Sequence, residues 1–320
     1  MRTLAALGLL LACAATASAQ SATTDPDSAR IITADIENFW RGYDRLRPGS
    51  TRADSARVFA ETYFQAASPG LETFIRTRIQ QPENLLMGLG MLPRYYAAVR
   101  ANTLRLREKE PLIRSSLRRL QAFYPQARFP DIYFIISGFI AQGVVSEQKV
   151  IIGAEMVSAD AATPMHELPK FLSDVTLTSA ALPCILVHEL VHFQQDYAQD
   201  SSLLAQALME GVADFITDRA IGCYPTAAAT YQWGAAHERE LWEDFRATMH
   251  RADHSKWLYN GNISSERPTN LGYWMGYQIA QAYYDRAANK AVAVHELLHI
   301  RDFAALLEAS GYADRFEQRD

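Results

Sequence analysis

The sequence predicts a mostly helical α+β fold in which a small antiparallel sheet lies beside a helix that carries an H-E-x-x-H motif. Apolar residues recur every three or four positions from about residue 33 to residue 124 and again after residue 180, which indicates amphipathic helices. Between these stretches, residues 131–137 and 149–157 are rich in β-branched and aromatic side chains, and the glycines between them predict turns. We therefore expect two or three antiparallel strands there.

The composition is that of a globular protein and excludes one large class of partners. The chain has 320 residues, of which 49% are hydrophobic and 21% charged, and its formal net charge is -5. It contains no basic run and no alternation of basic and aromatic residues, so the sequence gives no reason to expect nucleic-acid binding.

The N-terminus has the pattern of an export signal. A positive start at Arg2 precedes a small and apolar run over residues 4–15, and Ala17-Ser18-Ala19 forms an A-x-A cleavage site. Residues 1–19 are therefore predicted to be a signal peptide. The alternative is a lipobox, Leu-Leu-Ala-Cys, that ends in a lipidated Cys13. No other stretch is long and apolar enough to cross a membrane, so we expect an exported, periplasmic or extracellular protein, with the lipid anchor as the open alternative.

Three further regions follow the signal. Residues 20–30 are rich in Ser, Thr, Asp and Ala and predict a disordered leader. Residues 31–125 form an N-terminal helical region, and residues 126–320 form the catalytic region, and we expect the two to make one compact unit. An edge strand of the sheet could hold an extended substrate beside the metal, although a plain core hairpin explains the same pattern.

The H-E-x-x-H motif consists of His188, Glu189 and His192. Residues four apart lie on one face of a helix, so the two imidazoles can bind a single zinc ion. Glu189 follows the first ligand directly and is suited to act as general base on a water molecule at that ion.

A third ligand is expected because a catalytic zinc ion takes three protein ligands and leaves one position open. Glu210 follows His192 by 18 residues on the next predicted helix, and Asp214 lies one turn further on the same face. Two carboxylates on an otherwise apolar helix are costly to bury without a partner. We therefore predict Glu210 as the third ligand and Asp214 as the hydrogen-bond acceptor of a ligand histidine.

These motifs resemble known families. The order of the two histidines and the later glutamate resembles that of the gluzincin metallopeptidases, with a slightly shorter spacing than in thermolysin-like members. Residues 188–195 (HELVHFQQ), 210–215 (EGVADF) and 270–277 (NLGYWMGY) are similar to a family of predicted bacterial zinc-dependent proteases that is related to gliding-motility lipoproteins. The resemblance covers roughly residues 90–312 and implies a zincin-like fold and export.

A second H-E-x-x-H motif, from His295 to His299, is interpreted as a coincidence. Arg301 follows where an uncharged residue is expected, Gly311 interrupts any returning helix, and little chain remains to enclose a site. We expect this helix to pack its leucines inward and to expose both histidines.

Other candidate residues are less firmly tied to the site. A hydrolase of this type needs a donor for the developing oxyanion. The candidates are Tyr273, Tyr277 and His237, of which we favour Tyr277 and then His237. Aromatic packing for the tyrosines and a solvated helix face for His237 are the alternatives. Cys184 and Cys223 could form a disulfide or remain buried thiols.

The function predicted from these observations is that of an exported zinc metallopeptidase, which hydrolyses a peptide or protein substrate with Glu189 as general base. The rival interpretation is an envelope-tethered, zincin-like lipoprotein with a binding or assembly role and no proteolysis.

Overall fold

In a computed structural model that describes residues 22–169, 172, 178–261 and 267–317, helices surround a four-stranded sheet. The helices are α1 (Ala34–Arg45), α2 (Arg52–Phe59), α3 (Pro69–Phe74), α4 (Pro82–Met91), α5 (Pro93–Leu104), α6 (Glu110–Phe123), α7 (Leu182–Gln194), α8 (Leu203–Ile221), α9 (Ala228–Ala236), α10 (Glu238–Thr248), α11 (Leu271–Arg286), α12 (Lys290–Leu298), α13 (Phe303–Ser310) and α14 (Asp314–Glu317). The strands are β1 (Ile31–Ile32), β2 (Ile132–Ile135), β3 (Gly143–Ser146) and β4 (Lys149–Gly153). The predicted mostly helical α+β class is confirmed. The predicted signal peptide and Cys13 lie outside the described residues.

The sheet is mixed, not antiparallel as predicted. Its strand order is β1-β2-β4-β3, and only the β3–β4 pair is antiparallel. Strand β2 runs parallel to β4, with Ile132 opposite Val150. Alternation of apolar residues specifies which face of a strand is buried but not the direction of its neighbour, so the sequence pattern could not distinguish the two arrangements. The complete burial of β2 is nevertheless typical of a parallel strand.

A tight hairpin brings β3 to the edge of the sheet. Its two turn residues, Glu147 and Gln148, both have positive φ (48° and 61°), as in a type I′ turn. The Glu147 carboxylate accepts hydrogen bonds from Arg76 at 2.6 Å and from Thr73 at 3.0 Å, which fixes the hairpin against the preceding helical segment. Strand β3 then lies against α7.

Residues 22–30, directly before β1, are packed, although the composition predicts disorder for residues 20–30. Thr23 pairs with Phe129, Asp27 forms an ion pair with Arg118 at 2.7 Å, and Ala29 is buried. The composition of residues 22–30 does not reveal these partners, because they lie about a hundred positions away in the sequence. Through β1, the N-terminal helical region shares a sheet and a continuous hydrophobic core with the rest of the chain.

Three helices, α7, α8 and α11, form the layer that carries the candidate site. Helix α7 begins with Pro183 in its first turn, where proline is well tolerated. Helix α8 is capped by Ser202, whose side chain accepts from the Ala205 N–H, and it ends at Gly222 in the left-handed region. The cap and the terminating glycine determine where α8 begins and ends. They therefore determine which residues of α8, among them Glu210 and Asp214, lie opposite the histidines of α7.

Within the described ranges, none of the helices combines the length and the apolar character needed to span a bilayer.

Candidate metal centre

Helix α7 brings the two motif histidines together. His188 and His192 are one helical turn apart, and their Nε2 atoms lie 3.0 Å from each other. His188 is buried, with 5% of its surface exposed, whereas His192 is partly buried. Their edge-to-face ring arrangement directs both Nε2 atoms toward one point between α7 and α8.

Glu210 of α8, the predicted third ligand, faces this point. Its Oε2 lies 3.4 Å from His188 Nε2 and 3.2 Å from His192 Nε2. One ligand atom from each of the three residues lies within 4.8 Å of the others, a spacing suited to binding one ion. Two imidazoles and a carboxylate form a donor set that zinc accepts, so the residues fit the predicted metal.

Partners behind both histidines orient them toward this point. Asp214 Oδ1 lies 2.9 Å from His188 Nδ1, and neither atom has another hydrogen-bond partner among the described residues. His192 Nδ1 lies 2.8 Å from Gln195 Oε1. With Nδ1 donating in both rings, each Nε2 is free to bind a metal. Asp214 thus lies at the position predicted for the acceptor of a ligand histidine, and Gln195 is a partner that the sequence did not indicate.

The electrostatics of the site favour a cation. Burial lowers the pKa of His188, but the carboxylates of Asp214 and Glu210 outweigh burial and raise this pKa to about 10. Burial raises the pKa of Glu210, but His192 and His188 outweigh it and hold this pKa well below its ordinary range. The carboxylates thus stabilise positive charge between α7 and α8. Without a metal this charge is a proton on an imidazole, and a bound divalent ion would provide it in place of that proton.

Two cavities meet at Glu189. One, of about 710 Å³, extends along β3 to Gln195 and Tyr197. The other, of about 490 Å³, extends toward Pro225 and Asn270. Each volume is in the range of ligand-binding clefts. Glu189 lines both cavities, and burial raises the pKa of its carboxyl group.

Strand β3 passes directly over Glu189. A Cβ atom at Gly143 would lie 2.5 Å from the Glu189 carboxylate, so glycine allows this close approach. Gly143, Val144 and Val145 also line the larger cavity. The edge of the sheet therefore forms one wall of the cleft.

Of the candidate oxyanion donors, Tyr273 lies at the site, whereas the favoured Tyr277 and His237 do not. Tyr259 and Tyr273 line both cavities, and the Tyr259 hydroxyl donates to Glu210 Oε1. The Tyr277 hydroxyl instead donates to Asp218 at 2.7 Å. His237 stacks on Trp233 and bonds to its carbonyl oxygen, and neither Tyr277 nor His237 lines the two cavities.

The second H-E-x-x-H motif forms no comparable centre. His295 is exposed, but His299 is partly buried, because its Nδ1 is bonded to the His295 carbonyl oxygen and its ring stacks on that of His295 at 4.0 Å; the expectation that both histidines are exposed holds only for His295. Leu297 and Leu298 are buried, as expected for a packing face. Among the described residues, the group whose ligand atoms lie close enough together to hold one ion is His188, His192 and Glu210.

A disulfide joins the two helices of the centre. Cys184 lies one turn before His188 on α7, and Cys223 follows the C-terminal end of α8. The sequence left this pairing open. The chain segment that the disulfide closes contains every residue of the candidate metal centre.

Comparison with known proteins gives one family. A family model described as "Gliding motility protein GldB" matches residues 59–314. Neither the curated proteins nor the solved structures contain a match. The zincin-like fold and the resemblance to gluzincin metallopeptidases therefore stay predictions.

Proposed function

The chain belongs to the gliding motility protein GldB family, and from that premise we propose that it is an exported, envelope-associated zinc hydrolase that cleaves peptide bonds. The family assignment supports a place in the cell envelope, since the family consists of gliding motility lipoproteins. The hydrolase part of the proposal comes from the metal centre.

The main support for the proposal is the position of Glu189. This residue lies next to the three-ligand donor set, and it lines both of the cavities that meet there. A structural zinc site is closed by four protein ligands and has no use for an additional carboxylate. A catalytic site keeps one position open and needs a base beside it.

In the proposed hydrolysis, the metal ligands, Glu189 and two tyrosines have different roles. A zinc ion held by His188, His192 and Glu210 would supply Lewis-acid chemistry, which makes water more acidic and polarises a carbonyl group. Glu189 accepts the proton of the attacking water and returns it to the leaving amine. Tyr259 and Tyr273 are the hydroxyl groups in the cleft from which a hydrogen bond to the carbonyl oxygen can come.

The position of β3 supports a peptide as substrate. Within the described sheet, β3 pairs with β4 on one side only, and its other edge belongs to the cleft wall. An extended peptide can add to such an edge by main-chain hydrogen bonds. Added-strand pairing would hold the scissile bond beside Glu189, because Gly143 contacts that residue.

The test is Glu189→Gln in the purified protein, assayed on a pool of blocked fluorogenic peptides. The amide keeps the shape of the side chain but cannot accept the proton, so hydrolysis should fall by roughly 100- to 10,000-fold while bound zinc is retained. The matched control is Glu296→Gln, which changes the glutamate of the second motif and should cleave as the wild type does. Undiminished cleavage by Glu189→Gln would show that the mechanism is wrong.

A second function is favoured by the family assignment. A gliding motility lipoprotein could use this cleft to bind an envelope partner without cleaving it. Under that proposal, the wild-type protein binds zinc and hydrolyses none of the peptides, and Glu189→Gln supports motility as well as the wild type does.

A further inference from the structure

We infer that Arg78 binds a carboxylate of the substrate beside the scissile bond, an inference that rests on the proposed hydrolase function and adds the substrate class to it.

Arg78 reaches the cleft from a π-helical turn. It belongs to the π-helical segment Ile75–Ile79 that continues α3. The segment ends where the Gln80 N–H donates to the Ile75 carbonyl at 2.6 Å, with Gln80 at a φ of 64°. Ile79 is fully buried and anchors the turn, whereas the Arg78 side chain is exposed. Arg78 is thus an accessible side chain on a fixed base.

The location of Arg78 coincides with the junction of the two cavities. It lines both of them, together with Gly143, His188, Glu189, Tyr259 and Tyr273. Among the described lining residues, Arg78 is the only lysine or arginine in either cavity. A group bound to it therefore lies near the reacting bond and not at a distant end of the cleft.

Arg78 has no internal carboxylate to neutralise it within the described ranges. The neighbouring Arg76 donates to Glu147 at 2.6 Å, and Arg100 forms two bonds to Asp44, but no hydrogen bond or ion pair to Arg78 is formed by the described residues. Glu189 and Glu210, the acidic residues that line the cavities, would balance a divalent ion in the metal centre. Within the described part of the lining, Arg78 is then the positive charge that no carboxylate balances.

A carboxylate is the substrate group that fits this charge. The planar guanidinium binds a carboxylate through two parallel hydrogen bonds, a geometry that neutral groups do not match. The carboxylate can come from the side chain of Asp or Glu or from the C-terminus of a peptide. These two sources share the chemistry and predict different substrates, so the experiment separates them.

The experiment measures peptide binding to zinc-loaded Glu189→Gln protein by calorimetry, so that it does not depend on turnover. Three blocked peptides of one sequence carry glutamate, glutamine or lysine at the central position and a C-terminal amide, and a fourth carries glutamine and a free C-terminus. We expect at least one of the two carboxylate-bearing peptides to bind about tenfold more tightly than the glutamine amide, because charge-assisted hydrogen bonds are stronger than neutral ones. The carboxylate-bearing peptide that binds more tightly shows whether Arg78 binds a side-chain carboxylate or a C-terminal carboxylate.

Variants at Arg78 supply the decisive comparison. Adding Arg78→Ala should remove the tenfold preference, whichever carboxylate is its source. If the source is the side chain, adding Arg78→Glu should transfer the preference to the lysine peptide. The control is Arg119→Ala, which removes an exposed arginine of α6 that lines neither cavity and should leave the preference unchanged.

Two results would overturn the inference: equal binding of all four peptides, or a preference that survives Arg78→Ala. Absence of hydrolysis by the wild-type protein would contradict the proposed function alone, since the binding comparison is made in a variant that cannot hydrolyse.

Discussion

Gln195 has the same role for His192 that Asp214 has for His188. Its amide is oriented by a bond from Nε2 to the Met209 carbonyl at 2.7 Å, which turns Oε1 toward His192 Nδ1. A carbonyl-type acceptor at Nδ1 keeps the proton there and leaves Nε2 unprotonated for a metal. Gln195 therefore selects the tautomer that the metal centre requires.

We predict that Gln195→Ala weakens zinc binding by roughly 10- to 100-fold, the usual effect of removing such a partner. Competition with a chelator of known affinity measures the change. Gln194→Ala is the control, because its amide bonds to the backbone of Arg128 and Leu190 and not to a ligand. Equal zinc affinities for the two variants would mean that Gln195 does not orient the ligand.

The sequence could identify residues whose relation is set by one helix or by two successive helices. His188 and His192 share a face by helical period alone, and Glu210 and Asp214 share another. Tyr259 could not be predicted, because it reaches Glu210 from a loop whose path depends on tertiary contacts such as the bond from its own N–H to Asn270. Tyr277 lies on the predicted helix, but its position along the helix directs it to Asp218.

Among the elements, the disulfide holds α7 and α8 at the separation that the ligands need. Its two cysteines are 39 positions apart, so the crosslink restricts a long loop of the unfolded chain. Replacing both cysteines with serine should lower the free energy of unfolding by about 3–4 kcal/mol. Urea unfolding of oxidised wild type and of the double variant measures this difference.

The same double variant should also bind zinc more weakly, because the segment that the disulfide closes contains all three ligands. The two single variants are the controls for the loss of the crosslink, since each should be destabilised about as much as the double variant. An unfolding midpoint equal to that of the wild type would contradict a structural role for the disulfide.

Helices α8 and α11 approach each other at two glycines. A Cβ atom at Gly276 would lie 1.8 Å from the Ala207 carbonyl oxygen, and one at Gly211 would lie 2.2 Å from the Tyr277 nitrogen. Both obstacles are backbone atoms, which cannot move without separating the helices. The glycines are therefore required by packing, although the helix propensity of glycine is poor.

We predict that Gly276→Ala lowers the free energy of unfolding by about 3 kcal/mol, at the upper end of the cost of overpacking, despite the gain in helix propensity. Gly90→Ala in α4 is the control, since a Cβ atom there meets nothing within 4 Å. That control should be as stable as the wild type or more stable, by up to ~1 kcal/mol. A Gly276→Ala protein as stable as the control would show that the helices can separate freely.

Sequence patterns predicted whether a segment forms a helix or a strand better than they predicted how these elements pack against each other. The helices that carry the site follow from apolar periodicity and from signals such as Pro183 and Gly222. The direction of β2 and the packing of residues 22–30 depend on partners far away in sequence, and short polar or apolar runs do not encode those partners.

For the whole molecule, the family match and the metal centre point to different aspects of one protein. The match covers residues 59–314 and hence strands β2, β3 and β4, the disulfide and all three ligands. It supports a place in the cell envelope, while the cleft and Glu189 support chemistry there.

The strand order also separates β1, which continues the N-terminal segment, from β3 at the cleft by two intervening strands. A tether at the N-terminus would thus join the sheet at the edge opposite the cleft.

The most direct test of this account is the zinc content of the purified protein and of two variants, measured by elemental analysis after dialysis against metal-free buffer. His192→Ala and His299→Ala remove corresponding histidines of the two motifs, but only His192 faces Glu210. We predict one zinc ion per chain in the wild type and in His299→Ala, and little or none in His192→Ala. Zinc that is retained by His192→Ala and lost from His299→Ala would contradict the assignment of the metal centre.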